Sequence, residues 1–385
     1  MRVCLVYDCL FPYTVGGAER WYRDLALRLR AEGHEVTYLT LRQWPRGEAA
    51  DVPGVRVVTA GPRMRLYDEH GHRRILPPLA FGAGVLWHLL RHGRRYDAVH
   101  TASFPYFSLL AAAAARRVHG FRLVVDWVEL WTAQYWREYI GPVRGRIGWL
   151  VQRACARVRQ RAFTFAEVTA RRLRELGVRG DVVVLRGLYA GPVEPRVPLP
   201  SEPVVVFAGR HIPEKRASAA VAGIGAARRR LPGLRGVVFG DGPERAKVLA
   251  SIADARLDGV VQAPGFAAHE ELEEMLPRAL CLLHPSRREG YGLVVVESAS
   301  AGVPTILVDD PDNAATELVE DGVNGVIARS PAPEDLADAI VRVHEAGAAL
   351  RKSTAEWFAR NAPQLSIDAS LEAVAASYDS RSARS

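Results

Sequence analysis

The chain has 385 residues, 49% of them hydrophobic and 24% charged, with a formal net charge of +8. That balance builds ordinary globular cores, and the length predicts two or three domains. The four cysteines, Cys4, Cys9, Cys155 and Cys281, are scattered, with no C-x-x-C pair or Cys/His cluster; this argues against a metal site and for a reduced, cytoplasmic protein.

The first thirteen residues, MRVCLVYDCLFPY, lack the long apolar core of a signal peptide and read as a first strand. Further strands are predicted at EVTYLT, VRVVTA, DAVHTA and RLVVDW, and helices at AERWYRDLALRLRAEGH and FSLLAAAAARRVHG. Strands alternating with helices predict a parallel sheet covered on both faces. The run LPPLAFGAGVLWHLL is broken by Pro77 and Pro78 and is too short to span a bilayer. Arginines crowd residues 63–95 and 137–174, with Trp87, Trp136 and Trp149 nearby. They read either as solvated helix faces or as a surface drawn to anions, including a peripheral membrane contact at the inner face. No nucleic-acid-binding motif accompanies the charge.

Residues 188–203 are dense in Pro and Gly and read as a linker between a first domain, 1–187, and a second, 204–356. In the second, strands are predicted at VVVFAGR, LRGVVFGDG, GVVQAPG, LCLLHPS, PTILVDD and NGVIARS. A C-terminal amphipathic helix at about 357–380 is free to pack back on either domain.

Open parallel sheets bind ligands beyond the carboxyl ends of their strands, so the loops there are searched for chemistry. In FPYTVGGAERW, Gly16 and Gly17 precede a helix, where a backbone can approach an anion. In FAGRHIPEKRA, Arg210 and Lys215 lie five residues apart on one loop and are placed to converge on a phosphate. FGDGPER reads as a tight strand-to-helix turn with Asp241 as a capping residue. In SRREGYGLVVVESASAGVP, a helix is predicted from Leu293 to Gly302, apolar around its start yet carrying Glu297 one turn on. A carboxylate buried there without partners would cost several kcal/mol. Its candidate partners are sugar or ribose hydroxyls, or an internal arginine. Glu289, at the strand end, is placed to reach the same ligand.

The segment EGYGLVVVE resembles the E-x7-E signature of retaining glycosyltransferases of the GT-B fold, in particular glycosyltransferase family 4. The segments GGAE (16–19), AGRHIPEK (208–215), GDGP (240–243), PGF (264–266), PSRREGYGLVVVESASAGVPTI (285–306) and ELVEDGVNGVIA (317–328) follow that family's order. The resemblance implies two Rossmann-like parallel-sheet domains facing a cleft, the first binding the acceptor and the second a nucleotide-sugar donor, with the C-terminal helix crossing back to the first.

It also implies roles at matching positions. Arg210 and Lys215 would neutralise the donor diphosphate, and Glu289 would hold the donor sugar. Amides from Gly290, Tyr291, Gly292 and Leu293 would assist, and Glu297 would hold the ribose. The base would rest on backbone near Phe266 in PGFAAHEEL, and Gly16 and Gly17 would approach the phosphate. The implied reaction transfers a sugar with retention to a hydroxyl of a glycan, lipid-linked sugar or small molecule, with no metal and no cofactor beyond the donor, a UDP-sugar by default. A nucleotide-sugar 2-epimerase and a non-catalytic nucleotide-sugar-binding protein are the alternatives.

In one place the chain departs from the family pattern. Where relatives carry a His-Asp pair after RLVVDW, this chain has Val128 and Glu129, with Asp126 nearby. Asp126, Glu129 and His211 are therefore candidate sugar or acceptor contacts, with structural capping the alternative for the first two. Trp127, Trp131, Tyr135, Trp136 and Tyr139 read as an acceptor wall, as core, or as a membrane-facing surface.

Overall fold

The computed structural model describes all residues except 15, 46, 49, 51, 67–72, 195–196, 267–268 and 380–385. Parts of the glycine loop, the linker, the PGFAAHEEL segment and the end of the C-terminal helix thus lie outside the described residues. The chain divides into two compact units, one of Met1–Arg186 with Ser370–Ser385 and one of Gly187–Ala369.

The first unit holds seven parallel strands: β1 (Arg2–Val6), β2 (Glu35–Thr40), β3 (Arg56–Thr59), β4 (Ala98–Ala102), β5 (Arg122–Trp127), β6 (Arg161–Thr164) and β7 (Val182–Val184). Their order is β3-β2-β1-β4-β5-β6-β7. The connecting helices are α1 (Gly17–Ala31), α2 (Leu76–His92), α3 (Tyr106–His119), α4 (Ala133–Ile140), α5 (Pro142–Ala156) and α6 (Glu167–Glu175). Strands covered on both faces read as unbroken apolar runs rather than alternating ones, and Val3 to Val6 are all fully buried.

The second unit repeats the plan with β8 (Val204–Ala208), α7 (Ala217–Ala227), β9 (Arg235–Phe239), α8 (Arg245–Asp254), β10 (Val261–Gly265), α9 (His269–Met275) and β11 (Cys281–His284). There follow β12 (Arg288–Glu289), α10 (Leu293–Ser300), β13 (Thr305–Val308), β14 (Asp312–Asn313), β15 (Gly325–Ala328) and α11 (Pro333–Leu365), and then α12 (Ile367–Asp379), which from Ser370 on belongs to the first unit. The six-stranded sheet runs β10-β9-β8-β11-β13-β15, and β12 pairs with β14 apart from it. α11 breaks at Gly347 (φ 51°, ψ −133°).

The C-terminal residues serve both units. Trp357 donates to Glu320 at 2.8 Å and Phe358 packs edge-on against Tyr189, both within the second unit. From Ser370 onward the chain belongs to the first unit. There the Tyr378 hydroxyl lies 2.6 Å from His100 Nδ1, and Arg122 donates to the Tyr378 carbonyl. Among the described residues, no helix is long and apolar enough to cross a membrane.

Candidate active site

In the second sheet the strand order reverses between β8 and β11, and a reversal of this kind opens a crevice at the carboxyl edge. The loop after β8 carries Arg210 to Lys215, and the loop after β11 carries Ser286 to Gly292. The topology therefore brings together residues more than 70 positions apart. A backbone bond joins these loops, Arg287 N donating to Glu214 O at 2.8 Å, and the Asn313 side chain braces the second, its Nδ2 donating to Ser286 O and Val308 O, both at 3.1 Å. Arg216 donates to Asp310 at 2.9 Å and so uses one acid of the DDPD segment to hold the same wall.

At the centre of this edge Lys215 Nζ donates to Glu289 Oε1. The same oxygen lies 2.6 Å from His284 Nε2, which is also 3.3 Å from Ser286 Oγ. The Glu289 side chain is only 9% exposed. Burial alone would raise its pKa, but the Lys215 ammonium and then His284 outweigh it and hold the carboxyl well below the usual range. Both partners hold Oε1, so Oε2 has no partner among the described residues. The Lys215 ammonium likewise has donors to spare beyond the one facing Glu289. Sequence reasoning missed His284, whose signal was a lone polar residue closing the apolar strand CLLH.

Arg210, in the loop after β8, is exposed and makes no ion pair with a described residue. His211 does not join it. Its side chain is fully buried against Phe207, and neither ring nitrogen has a hydrogen-bond partner among the described residues. Burial first, then the Arg245 cation, lowers its pKa. His211, a candidate sugar contact, thus has its ring enclosed under the turn after β9. At Gly240 (φ +128°) a Cβ would sit 1.9 Å from the Gly209 carbonyl and 3.2 Å from the His211 ring, so only glycine fits. Asp241 accepts from Gly242 N at 2.7 Å, while Glu244 is the N-cap of α8, so Asp241 closes the turn rather than capping the helix.

Gly290 and Tyr291 are buried in the loop after β12. Gly292 (φ +103°) starts α10 in a left-handed conformation, and a Cβ there would meet the Ala315 Cβ at 2.6 Å. Val295 N donates to the N-cap carbonyl of Gly292 at 2.9 Å, which leaves the Leu293 and Val294 amides at the start of α10 to suit an anion. Glu297 is half-buried, less enclosed than its apolar neighbours Val295 and Val296. The expectation of a fully buried carboxylate is therefore corrected, because Leu293 and Val294 leave that helix face partly open. Phe266, just past the carboxyl end of β10, is 78% exposed.

Comparison with known proteins agrees with this architecture. Residues 16–187 match the family model described as a glycosyl transferase 4-like domain, and residues 195–363 match glycosyl transferases group 1. The chain is a glycosyltransferase of the GT-B fold. A glycogen synthase from Mycobacterium tuberculosis is 27% identical over 368 residues, spanning 88% of this chain and 84% of that protein. A sucrose-phosphate synthase from Thermosynechococcus elongatus superposes with a TM-score of 0.78 at 18% identity, covering 98% of each chain. Anabaena Alr3699/HepE, solved in complex with UDP, superposes with a TM-score of 0.72 at 18% identity, covering 99% of this chain and 100% of that one.

In the glycosyltransferase's first unit, Gly16 caps α1 in an extended conformation, and a Cβ on Gly17 would meet nothing within 4 Å. Asp126, a candidate sugar contact or structural cap, lies in the core. It is fully buried, one oxygen accepting from Trp21 Nε1 at 2.8 Å and the other lying 2.8 Å from His100 Nε2. With Tyr378 on the far side of His100, this network ties α1, β4, β5 and α12 together. Glu129 is half-buried and accepts from Trp131 Nε1 at 3.1 Å. Trp127, Tyr135 and Trp136 are buried, with Trp127 donating to Gln160 and Trp136 to Gln152, so they are core. Trp131 is half-buried between Phe104 and Tyr139.

Asp126→Ala is expected to cost about 3–5 kcal/mol, since it strands His100 and Trp21 in the core. Urea unfolding followed by tryptophan fluorescence reads this directly. Transfer activity per folded molecule should be retained; loss of activity with an unchanged unfolding midpoint would restore Asp126 as a sugar contact.

Proposed function

We propose that the enzyme transfers a sugar, with retention of anomeric configuration, from a nucleotide-diphosphate sugar to an acceptor hydroxyl, in the manner of glycosyltransferase family 4. The observation that carries this reading is the Lys215–Glu289–His284 cluster at the switch point of the second sheet. It joins a cation to an ionised carboxylate that keeps one oxygen for a ligand. Lys215 and Arg210 would offset charge developing on the leaving diphosphate, and Glu289 Oε2 would accept from donor sugar hydroxyls. Amides at the start of α10 would hold phosphate, and Glu297 would hold the ribose. The leaving phosphate would take the acceptor proton as attack proceeds on the same face. UDP is the favoured nucleotide; the solved complex of Anabaena HepE with UDP supports that choice. The acceptor is a glycan, lipid-linked sugar or small molecule.

Incubation with UDP-glucose and a panel of glycan and small-molecule acceptors, followed by NMR of the anomeric proton, tests the reading. Free UDP with an α-glycoside supports it; an isomerised donor identifies an epimerase, and binding without turnover a non-catalytic protein. Activity should persist in EDTA, because no step in this scheme runs through a metal.

Glu297→Gln is expected to weaken UDP binding about tenfold in titration calorimetry, the order of one charge-assisted hydrogen bond. Unchanged affinity would mean that the carboxylate serves the protein and not the ribose.

A further inference from the structure

The first unit has a cavity of about 130 Å³ on the sheet edge opposite the glycine loop. Arg2, Glu35 and Arg56, which open β1, β2 and β3, line it. His88 and His92, one turn apart on α2, and Arg95 just beyond complete the charged wall. All the strands run parallel, so this is their N-terminal edge, roughly 15 Å along β1 from the edge that carries Gly16 and Gly17.

The cations outnumber their counter-ions. Asp97 takes Arg2, accepting from its backbone N at 2.8 Å and its guanidinium at 3.1 Å. Glu35 also acts on Arg2 through space. Arg56 and Arg95 pair with no carboxylate among the described residues. His88 lies 2.8 Å from the Tyr96 hydroxyl and 5.0 Å, ring to ring, from His92. Burial first, then His92, Arg56 and Arg95, pushes His88 down to about 4. The same forces lower His92, burial first and then Arg95. Arg56 and Arg95, both exposed, line one small cavity with two histidines whose charged forms the same cations disfavour, an arrangement whose net positive field suits an anion.

We propose that this cavity binds a phosphate-bearing anion, gripped by the forks of Arg56 and Arg95 with His92 as a third donor. The phosphate has two sources, a soluble phosphate ester or a phospholipid headgroup. The second is represented on the same helix: the outer face of α2 exposes Leu76, Leu79, Trp87 and Leu90, with Arg91 over the Trp87 ring at 6.0 Å. Apolar residues with a flanking tryptophan and arginines suit a lipid interface.

The test titrates inorganic phosphate into the full chain and follows histidine imidazole signals by NMR, assigned with His88→Gln and His92→Gln. Phosphate should shift both signals saturably and raise the pH at which His92 titrates, since a bound anion offsets the cations around it. The Arg56→Ala/Arg95→Ala variant should bind at least about tenfold more weakly, the order of one lost charge-assisted bond. Sugar transfer by that variant should be unchanged, and phosphate binding that persists at the donor site leaves these two histidine signals unmoved. In a second arm the protein is sedimented with phosphatidylcholine vesicles with or without phosphatidylglycerol. Pelleting of wild type but not of the double variant, only with phosphatidylglycerol, assigns the lipid source. Phosphate binding without pelleting assigns the soluble one. Histidine shifts that fail to saturate, or that are equal in the double variant, overturn the proposal.

Discussion

Lys215→Ala is expected to lower kcat by about 10²-fold or more, the scale of removing one preorganised charge from a transition state. Two losses combine in that figure. In the proposed scheme the leaving diphosphate loses a cation, and Glu289 loses the partner that most opposes its burial. Lys215→Arg separates them. It keeps the charge but replaces a compact ammonium with a planar fork that does not fit the single oxygen Glu289 Oε1 in the same way. The Lys215→Arg variant should therefore recover part of kcat while leaving donor KM raised. Near-normal turnover of the alanine variant would remove Lys215 from the mechanism.

The pH profile exposes the second loss. In the wild type the Glu289 carboxyl is held well below its ordinary value, so it stays ionised across the neutral range. It should add no acid limb to kcat/KM above about pH 5, given an unperturbed glutamate near 4.3. With Lys215 gone, burial still pushes the pKa up and only His284 opposes it, so an acid limb should enter the measured range. The stability linkage has the matching sign. A depressed carboxyl contributes stability that is present above its unfolded value and is lost as pH falls from about 4.3 towards the folded value. Lys215→Ala should therefore narrow the difference in unfolding midpoint between pH 7 and pH 3.

The strands could be read from the sequence because they are buried on both faces. RVCLV, EVTYLT and TILV show as short apolar runs bounded by turn residues, a pattern that needs no knowledge of neighbours. LPPLAFGAGVLWHLL was harder to read. Pro77 and Pro78 look like breakers but lie in the first turn of α2, where a missing N–H costs nothing. Lys215 and Glu289 were each readable from their own loops, but their direct bond was not. It follows from the β8–β11 reversal, a property of the sheet rather than of either segment. The same limit hid the fate of Asp126. Its partner Trp21 lies 105 residues away along the chain, and its other partner His100 is bonded in turn to Tyr378, 278 residues from His100, so local reading saw only a carboxylate at a strand end. The aromatic residues at and after the end of β5 fall the same way. Trp127 and Trp136 resemble a ligand wall by composition, and only Gln160 and Gln152, satisfying their indole N–H groups, mark them as interior.

Glu289→Gln is the sharper test of the cluster, because it keeps shape and an acceptor oxygen while deleting the charge. Lys215 would then face a neutral amide, and His284 Nε2 would lose its carboxylate partner at 2.6 Å. We expect kcat to fall about 10²-fold or more with donor KM changed far less, the signature of an interaction that matters chiefly in the transition state. The double variant Lys215→Ala/Glu289→Gln then decides whether the two residues act as one unit. Groups in direct contact couple, and residues of one catalytic unit are grossly non-additive. The double variant should fall within about tenfold of the worse single variant rather than at the product of the two losses. If the losses instead multiply, Lys215 and Glu289 serve the donor independently. Their contact would then be an ion pair of the ligand-free enzyme, broken when the diphosphate draws Lys215 away and leaves His284 alone on the carboxylate.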